Sequence, residues 1–265
     1  MSQKITLGVT NLSFHRVTAA LITKFLQKMG FEVERTYAPH ETNFQRLMKG
    51  EVDALISAWL PSSHGGYKEK VQKEVPLMEL GFHYSPYALW GVSEYVPSDL
   101  VIAVEDLLKP EVIDQMKSSI QGINPGAGIT RFSIKMMEAY GLNDAGYQFH
   151  TGTEKDCFES FEHAVANNEW IIVPLWKPQF LHYKYTIREL KEPKGLLGTV
   201  DKAVLLLRED KKFMFSQTQL DQLDAIQFSN EVIAALDYKV SREGRDIDKV
   251  ADGWLKENQL HDYYE

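Results

Sequence analysis

The chain states one structural plan twice, and that repeat is its strongest constraint. Residues 4–9, KITLGV, alternate apolar and polar as a strand does. A polar turn follows, then Phe14, Val17, Leu21, Ile22, Phe25 and Met29 recur at helical spacing until Gly30 stops the pattern. FEVERTY alternates as a second strand, ETNFQRLMKG is a short helix ended by Gly50, and VDALISAW is a buried third strand. In the second half, SSIQGIN, then a helix carrying Ile129, Phe132, Met136, Met137 and Tyr140, then YQFH, then a helix capped by Thr153, then WIIVPLW, repeat the order. Strand, helix, strand, helix, strand favours a parallel sheet with right-handed crossovers.

The two halves also match in detail. Each has a glycine leaving its first strand, Gly8 or Gly122, and each ends its third strand in Trp-x-Pro, at Trp59 and at Trp176. The expected architecture is α/β with two lobes, each a mostly parallel sheet flanked by helices, and a ligand cleft between them. The expected boundaries are residues 1–87 and 208–265 for the first lobe and 88–207 for the second. HYSPYALWGVS and DKAVLLLRE are extended and apolar, and are expected to be the two connections. Beyond residue 211 the chain is mostly helical, with Leu220, Leu223, Ile226, Val232 and Leu236 placed to pack back on the first lobe.

Ligands of open parallel sheets sit beyond the carboxyl ends of the strands. Two facing lobes would therefore set Trp59 and Trp176 on opposite walls of one cleft. Either indole alone reads as ordinary core. Two at equivalent positions read as a site, and two indole faces suit a cation that has no hydrogen to donate, such as a quaternary ammonium. Gly126 and Gly128, in NPGAGIT, bring backbone N–H groups to a helix start, which attracts a carboxylate or small anion; a plain tight turn is the alternative. The spacing falls short of a dinucleotide fingerprint. His64, in the polar loop after Trp59, is either a donor to a ligand carboxylate or an exposed loop histidine.

Other chemistry is thin. Cys157 is the single cysteine, so no intrachain disulfide forms, and its mid-helix position with His163 well along the helix reads as buried structure. His182 and Tyr183 lie after the second Trp-x-Pro, as cleft lining or as surface. Metalloprotease, P-loop, CxxC and nucleophile-elbow motifs are absent. A net charge of −8, from 29 Lys and Arg against 37 Asp and Glu without a basic patch, argues against nucleic acid. No apolar run approaches the roughly 18 residues of a membrane span, and the first ten residues lack the charged and apolar regions of an export signal.

At these residues the chain resembles the substrate-binding proteins of glycine betaine/choline-type (quaternary amine) ABC importers. SAWLPSSHGGY resembles that family's Trp-Leu-Pro-x-x-His segment, GINPGAGI its Gly-Ile-x-Pro-Gly-x-Gly-Ile segment, and PLWKPQFLHYKYTIRELKEPKG its Trp-x-Pro segment. The likeness runs from Ile5 to about Arg208, with the motifs in matching order. It implies a type II periplasmic-binding-protein fold that closes on a small zwitterionic or cationic solute. Trp59 and Trp176 would be cage walls, His64 would meet the carboxylate, and the N–H groups of Gly128 and Ile129 would hold its oxygens. Leu12 stands where such binders carry a third Trp, and Phe14 is the candidate to replace that ring, with His15 and Arg16 as added donors. The likeness further implies no catalysis, no cofactor and no metal, a monomer that meets an ABC permease, and a periplasmic or extracytoplasmic place. A ligand-sensing or regulatory module, or a binder of another amine, is the alternative expectation.

Overall fold

A computed structural model describes residues 3–258. The chain opens with β1 (Gln3–Thr10), α1 (Ser13–Lys28), β2 (Phe31–Ala38), α2 (His40–Lys49), β3 (Ala54–Leu60), α3 (Gly65–Gln72) and β4 (Leu77–Tyr84). Next come β5 (Tyr87–Ser93), α4 (Pro110–Ile113), β6 (Ser119–Gln121), α5 (Gly128–Ala139), β7 (Gln148–His150), α6 (Glu154–Ala166), β8 (Val173–Lys177), α7 (Leu181–Lys184) and β9 (Ile187–Glu189). It finishes with β10 (Lys202–Arg208), α8 (Gln217–Asp224), α9 (Asn230–Ser241) and α10 (Ile247–Glu257).

These elements form two compact units. The first holds the described chain up to Pro86, Pro178–Phe180 and the described chain from Asp201 to Asn258; the second holds Tyr87–Lys177 and Leu181–Val200. In the first, five strands lie in the order β2-β1-β3-β10-β4. β1 pairs parallel with β2 and β3, as the strand–helix–strand pattern requires, while β10 runs antiparallel between β3 and β4. Phe44, Leu47, Leu55, Leu60, Val71 and Leu206 form one core of this unit, where α2 and α3 cover the sheet. Gly50 ends α2 at φ 75°, a backbone shape that costs a glycine little. α1 packs with α9 and α10, and the ion pairs Lys24–Asp252 (3.0 Å) and Arg35–Asp248 (2.7 Å) tie α10 to α1 and β2. Leu220, Leu223, Ile226 and Leu236 are buried there as their spacing anticipates; on α9 Ile233 is buried in place of Val232, which is half-buried.

The second unit has β5 at the centre of a three-stranded antiparallel sheet, β8-β5-β9, and a separate parallel pair, β6–β7. Among the described residues the parallel ladder of this unit is thus two strands of three residues, with isolated parallel bridges at Ala103–Lys191 and Met116–Trp170, because β8 takes its ladder from β5 instead. The matching glycines do the same work in both units. A Cβ on Gly8 would lie 2.5 Å from Leu55, and one on Gly122 would lie 2.3 Å from the Phe149 ring, so each first strand admits its neighbour's side chain only at glycine.

The two stretches expected to connect the lobes differ from that expectation. β5 lies wholly inside the second unit and β10 wholly inside the first. The chain leaves the first unit at Pro86–Tyr87, contributes Pro178–Phe180 to it again, and returns for good at Val200–Asp201 rather than near residue 208. The reason is register: Ala203 pairs with Trp59 and Tyr84, and Leu207 with Ala54 and Met78, so β10 is ladder-bonded on both sides. Residues 259–265, assigned to the first lobe from sequence, lie outside the described residues.

Candidate functional site

In the first unit the site is built at the end of β3. Ser57 takes φ 55°, a left-handed shape uncommon for a side chain other than glycine, where the β3–β10 register shifts. The strand then delivers Trp59, and the chain turns back within five residues. Two backbone contacts close that turn: the Trp59 N–H donates to Nδ1 of His64 at 2.8 Å, and the His64 N–H donates to the Trp59 carbonyl at 2.8 Å. The buried Asp201 carboxylate accepts the N–H groups of Ser62 (2.6 Å) and Ser63 (2.9 Å) and holds the loop from below. Because Nδ1 of His64 accepts a hydrogen bond, the neutral ring carries its proton on Nε2. The Trp59 indole N–H donates to the Tyr84 hydroxyl at 3.3 Å, so the indole's one donor is satisfied within the unit.

Around Trp59 lie the rings of Phe14 at 5.2 Å and His15 at 5.6 Å between centroids. Leu12 is the N-cap of α1 and supplies no capping bond; it is buried, as are Phe14 and His15. Phe14 therefore meets the Trp59 ring, but as a close-packed neighbour. Arg16 is exposed; it donates twice to Oδ1 of Asn11 (2.9 and 2.6 Å) and lies over the Tyr37 ring. Sequence reasoning passed over His40, the first residue of α2, whose ring is 5.0 Å from that of His64. A lone histidine after a proline carries no local signal of such a partner. It also passed over Tyr84 and Asp201, whose roles depend on long-range pairing.

In the second unit Trp176 lies on β8 opposite Ala88 of β5, with the Phe158 ring 5.9 Å away. His182 approaches the Trp176 carbonyl at 3.1 Å. Burial, helped by the charge of Lys177, lowers the His182 imidazole to about 4. Tyr183 is exposed. The start of α5 combines burial with the absence of a side-chain cap. Its N-cap, Ala127, has no side chain to cap it, and Gly128, Ile129 and Thr130 are buried. Among the described residues the first N–H of this helix with a backbone acceptor is that of Arg131, to Ala127. Helix starts leave N–H groups that side chains or solvent ordinarily satisfy, and buried ones without a partner are rare. Here they converge at the positive end of a helix dipole, a setting suited to an anion.

The remaining candidates are structural. Cys157 is buried with its thiol toward the Pro174 carbonyl at 3.6 Å, and burial pushes the thiol's ionisation up, away from reactivity. His163 is on the surface near Glu169. Among the described residues no group of three His, Cys, Asp or Glu is placed to hold a metal, and no helix is long and apolar enough to cross a membrane.

Comparison with known proteins gives a consistent answer. The chain is 25% identical over 154 residues to the glycine betaine/carnitine transport binding protein GbuC of Listeria monocytogenes, an alignment of 57% of this chain and 49% of that protein. It thus spans about half the length of that curated relative. Lactococcal OpuAC, solved in a closed-liganded conformation with glycine betaine, superposes with a TM-score of 0.84 at 24% identity, covering 99% of both chains. The glycine betaine/L-proline-binding protein ProX of Borrelia burgdorferi superposes at 0.83 with 25% identity, over 97% of this chain and 94% of that one. A choline binding protein in complex with choline reaches 0.83 at 16% identity, over 97% and 89%. These neighbours are two-lobed α/β binding proteins, the fold expected from the internal repeat. Residues 3–257 match the substrate binding domain of ABC-type glycine betaine transport systems, and the chain belongs to that family of solute-binding, non-enzymatic domains.

Proposed function

We propose that this chain captures a small zwitterion that joins an alkylated ammonium to a carboxylate, glycine betaine being the reference compound, and delivers it to an ABC permease. The reading assigns the ammonium to the faces of Trp59 and Trp176. It assigns the carboxylate to Nε2–H of His64 and to the N–H groups of Gly128 and Ile129. The single observation that carries it is the buried, uncapped first turn of α5. In a member of this family, donors left without protein acceptors in a buried position call for an anionic group. Choline offers a hydroxyl there in place of a carboxylate, and would leave the donors less well matched.

The same reading makes the chain a monomer that works on the extracytoplasmic side, beside its permease. A thermal-shift series tests it. Glycine betaine, carnitine, choline, ectoine and free amino acids are each added in excess, and a solute bound only by the folded state raises the melting temperature by mass action. The expected order places carboxylate-bearing betaines above choline. Stabilisation by choline alone, or by none of the quaternary amines, contradicts the assignment.

A further inference from the structure

Three histidines from three separate elements meet behind Trp59. His15 comes from the first turn of α1, His40 from the first turn of α2, and His64 from the cap of α3. Their ring centroids are 6.1 Å (His15–His40), 6.3 Å (His15–His64) and 5.0 Å (His40–His64) apart, and all three are buried. Phe44 lies 5.7 Å from His64, and Trp59 lies 5.6 Å from His15 and 6.2 Å from His64, so the cluster is walled by aromatic rings. Nδ1 of His15 has no hydrogen-bond partner. A core needs none of this polarity for its stability, since a buried imidazole is a poor substitute for an apolar side chain.

The charged groups on the surrounding elements are engaged elsewhere. On α1, Arg16 turns to Asn11; on α2, Glu41 is exposed and Arg46 pairs with Glu51 at 3.5 Å. On α3, Lys68 pairs with Glu79 of β4. Asp53, at the entry to β3, takes Lys211 at 3.0 Å, and Asp201 takes the amides of Ser62 and Ser63. Tyr67 stacks on Phe44, and the Tyr84 hydroxyl accepts from Trp59. Burial, reinforced by the nearby His40, holds His15 well below the ordinary imidazole range.

We propose that His15 and His40 are positioning residues for His64: they keep its imidazole neutral, with the proton on Nε2, and so keep the site competent for solute capture as pH falls through the ordinary imidazole range. This rests on the reading that His64 faces the solute. The geometry supplies the mechanism. A second proton on His64 would go to Nδ1, where the Trp59 amide already donates at 2.8 Å, and two N–H groups would then point at each other. The loop must open to relieve that clash, and Trp59 moves with it. Burial and two like-charging neighbours oppose this protonation, so the site keeps its form until well below the ordinary imidazole value of about 6.5.

Long-range imidazole NMR on the ligand-free protein tests the inference directly. The expected spectrum at pH 7.5 shows His64 protonated on Nε2 alone, with its midpoint at least about one pH unit below an ordinary histidine. His15→Gln keeps a polar group but cannot charge, and should move the His64 midpoint up by about half to one pH unit. His40→Gln should do the same, and serves if the first variant fails to fold. A purely structural role would lower stability or affinity at every pH without moving that midpoint. Calorimetry with glycine betaine should show nearly the same affinity at pH 6 as at pH 7.5 in the unsubstituted protein, and binding about two- to fourfold weaker at pH 6 than at pH 7.5 in His15→Gln. A His64 midpoint near 6.5 in the unsubstituted protein, the opposite tautomer, or a midpoint unmoved in whichever variants fold overturns the inference. If the NMR result holds but glycine betaine binds at no pH, the solute assignment fails and control of His64 by its neighbours stands.

Discussion

Trp59 and His64 hold each other. The amide of each residue donates to the other, Trp59 to the imidazole and His64 to the carbonyl, both at 2.8 Å. A side chain read from sequence as either a ligand donor or an exposed loop histidine is buried and closes the loop that presents the indole. His64→Ala leaves the buried Trp59 amide without an acceptor, at a cost of about 1–3 kcal/mol. His64→Asn can restore an oxygen near the position of Nδ1. Denaturant titration without ligand should rank the proteins in the order unsubstituted, Asn, Ala. Equal stability of all three would show that this hydrogen bond does not support the loop.

Asp237 gives a pH dependence of opposite sign to the histidines. It is fully buried, accepting from the hydroxyls of Ser13 (3.0 Å) and Ser241 (2.8 Å), and burial raises its carboxyl from 3.8 to about 6. The folded state therefore binds this proton more tightly than the unfolded chain. Its contribution is fully present below about pH 4 and is lost as pH rises through about 6. His83, lowered by burial from 6.5 to about 4, acts the other way: its contribution is present above about 6.5 and lost as pH falls to about 4. Asp237→Asn should stabilise the protein by about 1–3 kcal/mol at pH 7.5 and much less at pH 4.5. Urea titrations at the two pH values check this, and an equal effect at both would contradict it.

The repeat was legible because its punctuation is local. Gly30 and Gly50 stop helices at positive φ, and Thr153 caps α6 by accepting from the Asp156 amide. Strand order was less legible. DKAVLLLRE is a run of apolar residues, and such a run fits a linker or a fully buried strand equally well; only its antiparallel ladders with β3 and β4 decide. Trp59 and His64 lie in one short segment, and their contact is local. The histidines behind them come from residues 15 and 40, which no local pattern joins to residue 64.

Leu12 sets the expected selectivity. It caps α1 as a buried aliphatic residue, and the neighbouring Phe14 ring packs against Trp59. A trimethylammonium makes no hydrogen bonds and must shed water, so each aromatic face lost costs about 0.5–2 kcal/mol. Leu12→Trp should tighten glycine betaine binding by up to about tenfold. Weaker binding of glycine betaine to this variant than to the unsubstituted protein would place Leu12 against a bulkier native head group.

The central claim is that Trp59 is a wall of the solute site. Titration calorimetry of glycine betaine into the unsubstituted protein and into Trp59→Ala at pH 7.5 tests it most directly. Loss of one cation–π face and its packing should weaken binding by about 1–3 kcal/mol, roughly ten- to a hundredfold. A Trp59→Ala protein that folds and binds glycine betaine with unchanged affinity would contradict the claim.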